Sequence, residues 1–97
     1  MKHFIIEITY TASMDVISSI TPLHREFLKK GYESGLLLMS GPQNPRQGGI
    51  VVARAASLQE IETFFANDPY ALNRVATYRF IEFEPVLHNS ILDSWMN

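Results

Sequence analysis

Apolar and polar residues alternate from His3 to Tyr10. Phe4, Ile6, Ile8 and Tyr10 fall on one side, and His3, Ile5, Glu7 and Thr9 on the other. A period of two predicts a strand. Thr11 to Ser13 is a short polar break, and Ser13 or Asp15 can cap a helix that starts there. From Met14 to Glu33 the period becomes helical. Ile17, Ile20, His24, Phe27 and Gly31 are spaced three or four apart, so they share one helix face. Pro22 falls inside this segment and removes a backbone hydrogen bond. The segment is therefore either a helix kinked at Ile20–Thr21 or a short helix and then a longer one. In the second case Thr21 is the N-cap and Pro22 the first helical residue. Gly31 and Gly35 mark the end of the helix.

Leu36 to Met39 is apolar on both sides and too short for a helix, which predicts a buried strand. The breaker-rich stretch Gly41 to Gly49 is a loop, and Ile50 to Ala55 is the next strand. Ser57 and Glu60 form a capping box for a second helix, with Leu58, Ile61, Phe64 and Phe65 as its buried stripe. Asp68-Pro69 ends that helix and can open a further short turn. Val75 to Glu84 is the last strand, and Pro85 stops it. The order β-α-β-β-α-β predicts an α+β, ferredoxin-like domain: a four-stranded antiparallel sheet with two helices on one face. The whole chain, residues 1–97, reads as one domain with a C-terminal tail at 86–97.

The predicted strands are apolar on both sides, yet the helices cover only one. The other face would leave an apolar patch of a size that monomers avoid. A second copy packed sheet to sheet, giving a two-fold homodimer, is the simplest remedy. The alternative is that the tail, which carries Ile91, Leu92, Trp95 and Met96, folds over the open face.

Composition narrows the classes of function. Of 97 residues, 46% are hydrophobic and 19% charged, a globular composition rather than a disordered one. The net charge is -2, and eight Lys and Arg form no cluster beyond Lys29-Lys30, which argues against nucleic acid as a partner. Cysteine is absent, so disulfides, thiolate catalysis and thiolate metal sites are excluded. No apolar run approaches the length of a membrane span. The Met1-Lys2-His3-Phe4 start has no secretory signal pattern, so a cytoplasmic location is expected.

His24 is the polar interruption of the first helix's apolar stripe. A titratable ring there needs a polar partner. It is either a core-edge histidine satisfied by a main-chain carbonyl or a general acid/base. Asp68 is either an ordinary cap or the group that orients His24 through one ring nitrogen. Tyr70 and Tyr78 can supply hydroxyls to a pocket or serve as amphipathic core aromatics. Arg46, in the loop after Ser40-Gly41-Pro42, can pair with a substrate carboxylate or stay solvated. That loop lacks phosphate-cradling patterns. No histidine spacing suits a metal, and Ser40 lacks a nucleophile-elbow context.

Several short segments, in order and spacing, resemble the YciI-like (YCII-related) family over roughly Met1 to His88. They are Thr21-Pro22-Leu23-His24-Arg25-Glu26-Phe27-Leu28, Gly35 to Pro42, Asn44-Pro45, Gly48-Gly49, Asp68-Pro69-Tyr70, Ala76-Thr77-Tyr78 and Phe83-Glu84-Pro85. The resemblance implies a dimeric α/β barrel-type assembly. It also implies a pocket in which His24 and Asp68 form an acid/base pair, with Gly41 and Pro42 at the family's Gly-Pro and Ser40 adjoining. Activities associated with the family and its fold are dehydrochlorination of a chlorinated hydroxyquinol and muconolactone isomerisation. The chain departs from the family pattern at Asn73-Arg74, where relatives carry small residues such as Ala-Gly, which puts a bulky Arg74 near the expected pocket.

The expected function is thus a small, cofactor-independent lyase or isomerase acting on a small cyclic or aromatic-derived acid. His24 moves the proton, Asp68 orients it, and Ser40, Gly41, Pro42, Tyr70 and Tyr78 line the site. The alternative is a dimeric metabolite-binding or accessory module without catalysis.

Overall fold

Alternation in the first segment becomes strand β1, Lys2–Tyr10, whose Phe4, Ile6 and Ile8 side chains are fully buried. The computed structural model describes residues 1–96; Asn97, the last residue of the expected tail, lies outside the described residues. After β1 come α1 (Met14–Glu33), β2 (Leu37–Pro42), β3 (Gly48–Ala55), α2 (Leu58–Ala66), α3 (Pro69–Leu72) and β4 (Ala76–Phe83). The strands form one antiparallel sheet in the order β2-β3-β1-β4. This is the α+β, ferredoxin-like arrangement expected from the element order.

Register explains the core. Ile6 lies opposite Val51 on one side and Phe80 on the other, and Phe4 lies opposite Ala53. These residues project toward the helices and meet Ile17 and Leu28 of α1 and Ile61 and Phe65 of α2. Gly48 is required by the tight β1–β3 pairing: a Cβ there would lie 1.8 Å from the Ile8 carbonyl oxygen.

Helix α1 is one continuous helix, so the two-helix reading with Thr21 as N-cap is corrected. Ser13 is the cap. Proline is tolerated because Pro22 and Ser18, whose carbonyl loses its partner, both lie on the exposed side, where water can take over. The buried stripe is also rotated from the expected one. Ile17, Thr21, His24, Leu28 and Gly31 are buried, whereas Ile20 and Phe27 are only half-buried. Gly31 packs inside the helix against Leu37 and Phe64, and the turn out of α1 comes at Gly35, with φ 81°. In α2, Leu58 stands 40% exposed rather than in the stripe, because it is the first residue after the Ser57 cap. Strand β2 runs on to Pro42 and β3 begins at Gly48, so the connecting loop is only 43–47.

The open sheet face is not bare at one end. The tail returns so that the Trp95 indole meets His3, with ring centroids 5.4 Å apart. Arg54 donates to the Trp95 carbonyl at 2.6 Å and lies over its ring. Elsewhere Met39 and Phe83 remain exposed, and Ile5, Ile50, Val52 and Ile81 are half-buried.

Candidate active site

Asp68 caps α3, and its backbone conformation there is extended. The cap bond runs from the Tyr70 N–H to Oδ1 at 3.1 Å. Packing of α3 on α1 brings this carboxylate to His24: Nδ1 lies 2.8 Å from Oδ1 and 3.0 Å from Oδ2. The Tyr78 hydroxyl of β4 donates to Oδ2 at 2.7 Å. A carboxylate only accepts, so Nδ1 carries the proton and Nε2 presents its lone pair. Asp68 is wholly buried and His24 nearly so, at 9% exposure. Burial, reinforced by the Asp68 charge, pushes the Tyr78 hydroxyl above its ordinary value, so it remains a donor.

One flat side of the imidazole is covered by Tyr70, whose ring stacks on it at 4.1 Å between centroids and 19° between planes. The Tyr70 hydroxyl is itself tied to Thr21 Oγ1 at 2.6 Å, and Thr21 donates to the Ile17 carbonyl one turn back. Burial raises the Tyr70 hydroxyl as well. The ring of His24 is thus fixed by a hydrogen-bonded carboxylate at one edge and an anchored aromatic face.

His24 borders a cavity of about 170 Å³ between α1 and the β1–β3–β2 half of the sheet. Ile8, Leu28 and Val51 supply apolar walls, and Thr21, Tyr10, Tyr70, Arg25 and Arg46 the polar ones. Ser40, Gly41 and Pro42 also line it, at the end of β2. His24 Nε2 has no protein hydrogen-bond partner among the described residues, so it is the ring's free edge.

The positions singled out from sequence divide in two. His24, Ser40, Gly41, Pro42 and Tyr70 border the cavity, and Asp68 sits directly behind His24. Tyr78 does not line it: its hydroxyl is spent on Asp68, behind the imidazole. Arg74 does not line it either; it is exposed after α3, with φ 57°. Tyr10, read from sequence only as one side of a strand, and Thr21, a cap in one of two readings of the helix, also border the cavity. The signal for Thr21 was a second polar residue three positions before His24 on the same helix face. Among the described residues, no cluster of His, Asp and Glu could hold a metal ion, and no helix is long and apolar enough to cross a membrane.

The sequence profile of the YCII-related domain matches residues 1–84. The chain belongs to the YCII-related domain family. No curated protein matches this YCII-related chain by sequence. Its fold is similar to that of 5-chloro-2-hydroxyhydroquinone dehydrochlorinase from Burkholderia phenoliruptrix AC1100, solved in complex with 2,5-dihydroxybenzoquinone. The two share 18% identity with a TM-score of 0.70, over 92% of this chain and 97% of that one.

Proposed function

We propose that this YCII-related domain is a small acid/base enzyme of lyase or isomerase type, acting on a small cyclic or aromatic-derived acid. The observation that carries the reading is the His24–Asp68 hydrogen bond with Nε2 left free beside a solvent-reachable cavity. Nε2 takes a proton from a substrate carbon or hydroxyl and returns it to a neighbouring atom or a leaving group. Asp68 holds the tautomer and stabilises the imidazolium formed in between. Tyr78 and the Tyr70 N–H keep the carboxylate from turning away. The solved structural neighbour, a dehydrochlorinase with a hydroxyquinone bound, supports this class of chemistry by analogy of fold.

The reading includes a homodimer packed sheet to sheet. Its support is the unequal cover of the open face: the tail occupies the His3–Arg54 end, while exposed Met39 borders a hollow of about 300 Å³ with Ile50 and Val52.

The test is conversion. Purified protein is incubated with a panel of lactones and chlorinated or unchlorinated hydroxyquinols, and products are identified by mass spectrometry. The wild type is expected to convert one class. His24→Asn is expected to abolish turnover while the chain still folds, and Asp68→Asn to lower kcat by about 10³- to 10⁴-fold. Turnover that survives His24→Asn would remove the His24 mechanism, and panel members bound but recovered unchanged would favour a binding module.

A further inference from the structure

We propose that Arg46 is the specificity-determining residue of this cavity, selecting small monocyclic ligands that carry a negative charge. The inference rests on the reading of the His24 cavity as a substrate site, and it adds the residue that recognises the ligand's acid group. The lining contains His24, Arg25 and Arg46 but no Asp or Glu; Asp68 lies behind the imidazole with its oxygens already occupied. Among the described residues, Arg46 makes no ion pair. Its partners are neutral hydroxyls at long range: Nε donates to the Tyr10 hydroxyl at 3.3 Å and Nη2 to Thr21 Oγ1 at 3.3 Å. The Tyr10 ring lies beneath the guanidinium at 5.8 Å. An arginine held in place by weak neutral contacts at a cavity mouth is pre-oriented for a charge-assisted, two-pronged bond that only an anion supplies.

The placement links Arg46 to the chemistry. Thr21 accepts from Arg46, and its hydroxyl meets that of Tyr70, whose ring stacks on His24. The guanidinium thus lies by the hydroxyl end of a tyrosine whose ring face covers the imidazole. A ligand can offer its anionic group to Arg46 and its reacting atom to Nε2. Size sets the rest of the class. A cavity of about 170 Å³ suits one six-membered ring with small substituents. Ile8, Leu28 and Val51 give that ring apolar walls. Arg25 also lines the cavity but makes no side-chain hydrogen bond among the described residues, so Arg46 is the tethered anchor.

The experiment is calorimetric titration of the full chain with benzoate, benzamide and 2,5-dihydroxybenzoquinone, the last anionic at neutral pH. The wild type is expected to bind benzoate and the dihydroxyquinone about ten-fold more tightly than benzamide. Arg46→Gln is expected to remove most of that preference while leaving benzamide affinity unchanged, and Arg46→Lys to restore part of it. The preference is expected to persist in His24→Asn, which separates recognition from turnover. Equal affinity for benzoate and benzamide, absence of anion binding, or a preference lost in Arg25→Gln but kept in Arg46→Gln would each overturn the proposal. Those results would leave the acid/base reading to be judged by its own assay.

Discussion

Tyr78 illustrates how a residue changes meaning once its partner is known. On sequence it is an aromatic of the last strand with a hydroxyl to offer a pocket. In the fold the hydroxyl faces away from the cavity and holds Asp68 Oδ2 at 2.7 Å. Removing it leaves a buried carboxylate short of one donor, a loss of about 1–3 kcal/mol. Tyr78→Phe is therefore expected to lower folding stability by that amount in urea titration. It is also expected to reduce kcat more than KM, because the carboxylate that orients His24 gains freedom. A variant as stable as the wild type would show that the Tyr78 bond contributes nothing to holding Asp68. Arg74 is the converse case. Its side chain is bulky, yet what matters there is the backbone: φ of 57° is costly for a residue with a Cβ, about 1 kcal/mol.

Among the elements, α1 does most to build the site. One buried face carries Thr21 and His24 one turn apart, and the Pro22 between them is absorbed because its side of the helix meets water. The tail is the element with a built-in pH response. His3 is buried under Trp95, and among the described residues its Nε2 and the Trp95 Nε1 have no hydrogen-bond partner. Burial, with the N-terminal charge, Arg54 and His88 adding to it, holds the His3 ring below the ordinary histidine value of 6.5. A depressed histidine binds fewer protons when docked than when released, so docking strengthens as pH rises. Tail docking is thus intact above pH 6.5 and weakens as pH falls below it toward the lowered value. The emission of the single tryptophan is expected to shift to the red on acidification, and His3→Gln is expected to flatten that titration. An unchanged acid shift in the variant would place the sensor elsewhere.

For the whole molecule, the decisive surface is the open face of the sheet. If a second copy covers it, light scattering at micromolar concentration gives twice the chain mass, and Val52→Arg gives a folded monomer. A wild type that scatters as a monomer throughout would remove the dimer. The proposed chemistry would then stand on the His24 cavity alone, since every residue assigned to it comes from one chain.

Much of this architecture is legible along the chain because the information is local. Alternation in β1, the Ser57–Glu60 box and the Asp68-Pro69 cap each specify backbone geometry within a few residues. From these the order of elements, and hence the antiparallel sheet, can be read. His24 and Asp68 are visible as candidates for the same reason, a polar residue on an apolar stripe and an acidic cap. What sequence could not supply is any relation across distance. The bond between two residues 44 positions apart, Tyr78 behind rather than in front of Asp68, and Arg46 brought to Thr21 all depend on how helices settle on the sheet. A small rotation of α1 about its axis, which periodicity does not resolve, decides that Thr21 rather than Ile20 is buried, and with it the shape of the cavity.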